Sequence, residues 1–479
     1  MVLTPTIARR LCLILALGGC GSIARQDAPP VPIYVPDAWS AASVATPGVT
    51  TSLARWWLRF DDPLLGSLTE QSLLANTSVK SAQAALRQSR ALRDVAAAGL
   101  LPALGISASA QQNRTDGNDP VDSFKAGLDA SWEPDIFGSK RGALAATEAT
   151  ARASAASLGD LQVSIAAEVA LNYIALRGAE AQLAIADANL ASQLEILQLT
   201  RWRLQAGLVT ALEAEQARAA TEQTRAQLPA LQTNIQQARH ALAVLTGQPP
   251  AALATVLAAA RPIPQAADDL ALSIPAETLR QRPDVRAAEH QLTAAAARVT
   301  QAEAARLPSF KLGGSIGLNA LTLAGLSNGA TVVSALLASV SLPIFDGGAL
   351  RAQVRAQQAA LEQAQATYQS TVLTALKDVE NALVALQGDR ERLLHLQQAA
   401  EAAANAALMA RQRYGSGLID FQIVLETQRT ELNTQDAVAS ARADLGADYV
   451  RLYKALGGDW QSGRDPAPQA NDDIPRAPQ

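Results

Sequence analysis

The chain has 479 residues, of which 49% are hydrophobic, only 4% are aromatic and 18% are charged, with a formal net charge of -4 at pH 7. About a fifth of the residues are Ala, a composition typical of long, closely packed helices rather than of wide cores filled by large side chains. The near-neutral charge, with Arg interspersed among Glu and Asp, argues against a nucleic-acid-binding protein, which needs clustered positive charge.

The N-terminal residues predict secretion and lipid attachment. Arg9 and Arg10 precede a short apolar run that ends at Cys20 and is too short to span a bilayer as a mature helix. Leu-Gly-Gly before Cys20 resembles the lipobox of bacterial lipoproteins, whereas an ordinary signal peptide with an incidental Cys is the alternative. We predict a signal peptide over residues 1–19 and a lipid anchor with an extended tether over residues 20–55. Gly after Cys20 favours sorting to the outer membrane by the same resemblance.

A β-hairpin is predicted after the first helical segment. Helical periodicity extends from Pro63 to Gly99. Apolar and polar residues then alternate over 104–111 and again over 124–133, with a polar loop between them. Such alternation predicts a hairpin at about residues 101–133 with one apolar and one polar face.

The same order of elements occurs a second time along the chain. A second hairpin is predicted at about residues 307–343, but its last strand, Val332–Leu342, is apolar on both faces and leaves its register open. We therefore predict two repeats, residues 56–260 and 261–460, followed by a disordered tail over residues 461–479.

Each predicted hairpin is followed by an unusually long helical stretch. No Pro occurs from Ser139 to Gln205 or from Gly347 to Tyr414, so each helix could extend for about 100 Å. Charged and amide side chains occur throughout both stretches, which excludes them from lipid. We expect these helices to pack side by side in water, with Ala and Leu in the seams.

Glycine-containing turns end both long helices. The first turn contains Gly207, and the second contains Gly415 and Gly417. Beyond them, the periodicity predicts shorter returning helices over Thr210–Thr246 and Asp420–Leu456. Each repeat thus supplies one helical hairpin and one β-hairpin.

The strands predict how the chain assembles. Alternating runs of about ten residues are typical of membrane-barrel strands, although ordinary soluble hairpins are the more common alternative. Four strands cannot close a barrel, eight give an interior filled by side chains, and twelve begin to leave a lumen. The predicted fold class is therefore mostly α, with four strands per chain completing a trimeric 12-stranded outer-membrane barrel. Phe124, Trp132 and Phe310 stand where interfacial aromatic residues are expected.

Three motifs resemble one protein family. Residues 57–65 (WLRFDDPLL), 132–138 (WEPDIFG) and 281–289 (QRPDVRAAE) resemble signatures of TolC-type outer-membrane efflux proteins, in particular the NodT-like outer-membrane lipoproteins of resistance-nodulation-division efflux systems. The resemblance implies a homotrimeric channel in the outer membrane with a periplasmic α-helical barrel. It also implies a periplasmic adaptor and an inner-membrane pump as partners, and export of drugs or other toxic small molecules.

By the same resemblance, the helical hairpin of the second repeat closes the periplasmic end of the channel. The positions that match the family's aperture hold Gln422, Glu426 and Arg429, with Gln422 in place of an apolar ring residue. Three copies of Glu426 near an axis would attract cations, and pairing with Arg429 would hold the aperture shut. The alternative is that Glu426 and Arg429 are simply neighbours on a solvated helix face.

The hairpin tips are the expected contact for the adaptor. The resemblance places that contact at the turns of Gly207, Gly415 and Gly417. A lipid-anchored periplasmic adaptor is itself an alternative identity, as is a structural coiled-coil envelope protein. An adaptor would have a single helical hairpin beside soluble strands, and a structural coiled coil would need no alternating strands.

Nothing in the sequence predicts an enzyme. His240, His290 and His395 lack the spacing of metal ligands, and no Ser-His-Asp or activated Cys arrangement is visible. Residues 282–284 (Arg-Pro-Asp) are interpreted as the start of a helix. We expect no metal and no cofactor, apart from the covalent lipid on Cys20.

Overall fold

The structure is a computed structural model. It describes residues 34–40, 55–114, 119–266, 278–280 and 282–458. The predicted signal peptide, the anchor residue Cys20 and the C-terminal tail lie outside the described residues.

Helices dominate the described part of the chain and follow the predicted order. They are α1 (Pro63–Ala75), α2 (Thr77–Ala98), α3 (Ser139–Gln205), α4 (Ala211–Leu245), α5 (Pro283–Ala304), α6 (Ala349–Gly415) and α7 (Phe421–Ala455), preceded by a short 3-10 helix, Trp56–Phe60. The two long helices have 67 residues each and the two returning helices 35 each. The predicted helices after the hairpins are confirmed, and α5 begins at Pro283 as the Arg-Pro-Asp segment predicted.

The helical segment predicted from Pro63 to Gly99 is confirmed as helical, but it forms two helices because Asn76 divides it. Asn76 adopts an extended conformation with ψ of 133° and ends α1. Its Oδ1 accepts hydrogen bonds from the amides of Ser78 and Val79 at 2.8 and 3.3 Å, which caps α2. Its Nδ2 donates to the carbonyl of Leu245 at 2.9 Å. An Asn that caps the next helix is a favourable break, but apolar periodicity alone does not reveal it.

The strands form one antiparallel sheet in the order β1-β2-β3-β4. They are β1 (Ala103–Asn113), β2 (Val121–Trp132), β3 (Ser309–Ala320) and β4 (Thr331–Ser341). Both predicted hairpins are confirmed, and β2 joins β3, so the two repeats meet in the middle of the sheet. Within the described residues, β1 and β4 are the outer strands.

Pairing with β3 resolves the register of β4. Leu318 pairs with Val332 and Phe310 with Val340, which places these β4 residues on the apolar face. Val333 and Leu337 therefore lie on the opposite face, opposite Gly317 and Gly313. Because side chains alternate between faces, this one pairing assigns every residue of β4.

Strands β2 and β3 approach each other closely at a pair of glycines. Gly127 pairs with Gly317, and a Cβ added to Gly127 would lie 2.9 Å from the carbonyl oxygen of Ile316 and 3.0 Å from the Cα of Gly317. Any side chain at either glycine would therefore force the strands apart. Gly105, on the same polar face of β1, has no atom within 4 Å of an added Cβ.

The described chain divides into two compact units. The first contains the sheet and consists of Ala85–Ala155 and Ala287–Ser370, and the second consists of the described residues of Tyr34–Ala84, Ala156–Arg286 and Thr371–Gln479. The second unit contains the main apolar core, in which the Trp56 ring stacks on Tyr453 with centroids 5.3 Å apart. The aromatic residues, few in number, thus contribute to this core.

Replacing Gly127 with Val should lower the yield of folded, membrane-inserted protein severalfold, because the added side chain would collide with the backbone of β3. Gly105→Val provides the matched control on the same face. Protease-resistant protein in outer-membrane fractions would be measured for both. Equal yields for the two variants would contradict the close approach of β2 and β3.

Candidate functional site

The two helical hairpins end in the same turn. At the first tip, the amide of Leu208 donates to the carbonyl of Arg203 at 2.8 Å, and Gly207 has φ of 73°. At the second tip, the amide of Leu418 donates to the carbonyl of Arg413 at 2.9 Å, and Gly417 has φ of 74°. Both are Schellman turns, in which glycine at C′ supplies the left-handed conformation.

A side-chain clamp joins the two tips. Arg203, in the last turn of α3, donates from Nη2 to the carbonyl of Gly415 at 2.8 Å. Its guanidinium also lies over the Tyr414 ring, 4.5 Å from the centroid. Tyr414 packs on Phe421 with centroids 5.8 Å apart, within a small apolar cluster at the end of the second unit. The structure therefore brings the glycine-containing tips together.

The predicted gate residues lie on one face of α7. Gln422, Glu426 and Arg429 are spaced by four and three residues, and all three are exposed. Among the described residues, no ion pair within 4 Å joins Glu426 to Arg429. Asn433 and Asp436 continue the same exposed polar stripe. Buried neighbours such as Val424 hold the opposite side of the helix against the chain.

Behind that stripe is a half-buried polar network that sequence reasoning missed. Arg411 of α6 donates from Nη1 to Oγ of Ser192 at 2.7 Å, and Nε2 of Gln428 contacts the same oxygen at 3.4 Å. Nη2 of Arg411 also lies 3.8 Å from Oε2 of Glu431. Burial raises the pKa of Glu431, although the charge of Arg411 acts to lower it. The contacts join α3 to α6 and α7. Partners more than 200 positions apart leave no local sequence signal.

A charged cavity of about 430 Å³ lies in the second unit, beside the start of α5. Arg282 is 7% exposed and donates from Nη1 to the carbonyl of Ala455 at 2.7 Å and from Nη2 to Asp284 at 2.7 Å. Asp160 also lines the cavity, and burial followed by repulsion from Asp284 raises its pKa. Arg282 connects α5 to the end of α7, a structural role that the helix-start interpretation did not include.

A buried carboxylate stands at the edge of that cavity. Asp448 of α7 is 2% exposed and pairs with Arg451 on the same helix. Burial, and then the neighbouring carboxyl of Asp389 on α6, raise the pKa of Asp448 to about 6. The two carboxyls therefore favour sharing a proton, which ties α6 to α7 while Asp448 is protonated.

No helix in the described part of the chain combines the length and apolar composition needed to cross a membrane. Over the same ranges, no three His, Cys, Asp or Glu side chains are arranged to hold a metal ion. The geometry among the described residues is that of helical hairpin tips, polar helix faces and one sheet.

Comparison with known proteins gives consistent matches along the chain. The profile of the family described as "Outer membrane efflux protein" matches residues 68–248 and 274–458. Pyoverdine export outer membrane protein OpmQ of Pseudomonas aeruginosa is 34% identical over 467 residues, covering 94% of this chain and 96% of that protein. Nodulation protein T of Rhizobium leguminosarum bv. trifolii is 30% identical over 462 residues, covering 95% and 97%. The solved structure of the outer-membrane channel OprN has a TM-score of 0.84 at 36% identity and covers 90% of this chain and 98% of that one.

The Asp389–Asp448 pair makes the stability of the protein depend on pH. Because the folded-state pKa of Asp448, about 6, lies above its ordinary value of 3.8, the free energy of unfolding should fall as the pH rises from about 4 through 6. Asp448→Asn removes the ionisable group, so the free energy of unfolding of the variant should no longer fall over this pH range. The unfolding temperature of the variant minus that of wild type should therefore be a few degrees higher at pH 7.5 than at pH 4.5.

Circular dichroism in detergent at a fixed heating rate would measure both midpoints. Asp389→Asn should reproduce only part of the effect, because it removes the neighbouring carboxyl but leaves Asp448 buried. Ser440→Ala, on the same helix, provides a control without a titratable group. The carboxyl pair is refuted if Asp448→Asn shifts the midpoint equally at both pH values.

Proposed function

Because the chain belongs to the outer membrane efflux protein family, we propose that three copies of it form one conduit across the outer membrane. The four-stranded sheet supports this most directly, since β1 and β4 are its outer strands within the described residues. Unpaired backbone groups at those edges would be costly in lipid. Three copies supply twelve strands, which can close around a lumen.

The two faces of the sheet suit a barrel wall with lipid on one side and a lumen on the other. One face carries a continuous apolar surface across the strands, including Ile106, Leu128, Ile316 and Leu336. These residues are at least half exposed in the single chain. The other face carries mainly Ser, Gly, Asn, Lys and Asp residues, with Val333 and Leu337 of β4 among them. In membrane barrels, the apolar face of the sheet contacts lipid and the polar face lines the lumen.

We further propose that a periplasmic adaptor and an inner-membrane resistance-nodulation-division pump deliver small molecules to this conduit. Several relatives that match over nearly the full chain are named as outer-membrane proteins of export or efflux systems, and pyoverdine is the compound named for one of them. The adaptor would contact the exposed hairpin tips, where Leu208 and Leu418 follow the turns of Gly207 and of Gly415 and Gly417. The adaptor and structural coiled-coil alternatives account for neither the sheet nor these relatives. We assign the chain no catalytic reaction and no cofactor.

The periplasmic aperture would be closed by the exposed stripe that begins with Gln422, Glu426 and Arg429. Both charged residues are exposed, and neither forms an ion pair within the part of the chain that the structure describes, so each is available to a neighbouring copy of α7. A ring of three Glu426 and three Arg429 side chains could then form ion pairs between copies. Gln422, one turn closer to the tip, would contribute amide groups rather than an apolar seal.

The double substitution Glu426→Ala with Arg429→Ala should raise single-channel conductance in planar bilayers severalfold, because it removes the intermolecular ion pairs that hold the aperture. Glu215→Ala with Arg218→Ala is a closely matched control: this pair has the same residue types and spacing on α4, near the other tip, and its ion pair spans 3.6 Å. Unchanged conductance of the first double variant would remove the gate assignment.

The proposed lipid anchor can be tested separately from the channel. Cys20→Ser should abolish incorporation of labelled palmitate, since the thiol is the expected site of lipid attachment. Cys12→Ser, eight positions earlier, should leave incorporation intact. Gel fluorography of the purified protein would measure both. Persistent label on the Cys20→Ser variant would refute the anchor.

A further inference from the structure

The polar face of the sheet is interrupted by one apolar strip. It consists of Val333, Ala335 and Leu337, which alternate along β4 and therefore share a face. Val333 and Leu337 are 49% and 63% exposed in the single chain. Their partners on β3 are Gly317 and Gly313, which have no side chains to cover them. The strip is thus an uncovered apolar surface about 13 Å long on the face that would line the lumen.

Lysines lie near both ends of this apolar strip. Lys311 of β3 is a diagonal neighbour of Leu337, two residues away from its direct partner. At the other end, Asn319 is the diagonal neighbour of Val333, and Lys125 of β2 pairs with Asn319. Diagonal neighbours lie about 7–8 Å apart, which long side chains can span. A solute lying along the strip would therefore have Lys311 one strand away at one end and Lys125 two strands away at the other.

The charges on this face have an excess of lysine. Within the strands they are Lys125, Asp129 and Lys311, all exposed, and two lysines with one aspartate give a net charge of +1 per chain. The Cα atom of Asp129 is about 13–14 Å from that of either lysine. Just beyond β2, Glu133 lies 3.6 Å from Lys140. Within the ranges that the structure describes, neither strand lysine has a carboxylate within 4 Å, so both amines are available to a solute.

We propose that this surface binds small amphiphilic organic anions as they pass along the conduit, an inference that rests on the proposed function because it needs the polar face to line the lumen. The apolar part of the solute lies against Val333 and Leu337. Its carboxylate, sulfonate or phosphate group lies against the amine of Lys311, and Lys125 is the second cation beside the strip. A purely hydrophilic anion gains nothing from the strip, and an amphiphilic cation is repelled by the lysines.

A structural role for the strip is the alternative. A Cβ added to Gly313 would lie 3.9 Å from the Cβ of Leu337, so this leucine stands over the backbone of β3. Covering that backbone requires an apolar side chain and does not require a cation nearby. The two roles therefore predict different effects of a change at Lys311.

Cysteine labelling of the full-length chain in outer-membrane fragments first tests which face meets water. Ser315→Cys places a thiol on the polar face, opposite Ala335 at the centre of the strip. Ser334→Cys places one on the apolar face, opposite Ile316. Iodoacetamide reacts with the thiolate, which does not form in lipid, so the first cysteine should be modified several times faster. Peptide masses after digestion would give the rate at each site.

Competition with small solutes then tests the ligand class. Naphthalene-2-sulfonate, an amphiphilic anion, should slow the modification of the Ser315→Cys thiol severalfold, because it would cover the neighbouring strip. Methanesulfonate carries the same charged group without the rings, and 2-naphthylmethylammonium carries the rings with the opposite charge. At the same concentration, neither should protect the thiol.

Two further changes in the Ser315→Cys chain separate the contributions of charge and apolar surface. Lys311→Gln should abolish protection by naphthalene-2-sulfonate, because it removes the cation beside the strip. Val333→Thr with Leu337→Thr should also abolish it, because both replacements suit a β-strand but introduce hydroxyl groups. Without any solute, the thiol should react at the same rate in all these chains, which verifies that the sheet is retained.

Matched controls lie outside the proposed surface. Lys377→Gln changes an exposed lysine of α6, and Leu323→Thr changes an exposed leucine between β3 and β4. Both should leave the protection of the Ser315→Cys thiol by naphthalene-2-sulfonate unchanged. Loss of protection in either control would overturn the assignment to this surface.

The outcomes separate the ligand class from the proposed function. Faster modification of Ser334→Cys than of Ser315→Cys would refute the barrel orientation and therefore the proposed function. With Ser315→Cys the faster, equal protection by all three solutes, or by none of them, would overturn the anion inference alone. Protection that survives Lys311→Gln but not the two threonine substitutions would overturn the preference for anions.

Discussion

The need to pair backbone hydrogen-bonding groups in lipid determines most of what this chain must do. A sheet of four strands with outer strands β1 and β4 cannot stand in a membrane unless its edges are joined to others. Within the described residues, the two repeats are joined at β2 and β3, and the outer edges of β1 and β4 have no partner strand. The proposed trimer follows from this incompleteness, because each copy provides the edge that its neighbour needs.

The same constraint separates the chain into parts with different chemistry. Bulky apolar residues are concentrated on one face of the strands, where they are exposed in the single chain. The long helices carry charge and amide groups and pack through Ala and small apolar clusters, so their stability derives from close helix contacts in water. Near the tips, the Arg203 clamp and the Arg411–Ser192 contact hold the two helical hairpins together. If this end of the chain closes the proposed conduit, opening it would change contacts between the hairpins as well as the proposed contacts between copies.

Local signals predicted much of this architecture. The absence of Pro and the glycine turns predicted the ends of α3 and α6 within one or two residues, and strict alternation predicted β1, β2 and β3. Three features were beyond such reasoning. Asn76 breaks a periodic helix through a cap and a distant carbonyl, β4 is apolar on both faces, and Arg411 finds its partner more than 200 positions away. Each depends on tertiary contacts, whereas the gate assignment of Glu426 and Arg429 derives from family resemblance and remains a proposal.

If three copies form the conduit, one chain by itself is an incomplete channel. Native mass spectrometry of the full-length protein, released from detergent micelles, tests this most directly because it counts copies without relying on function. A dominant species at three times the mass of the mature chain is the predicted result. A dominant species at the mass of one chain, from protein that is folded and membrane-derived, would contradict it.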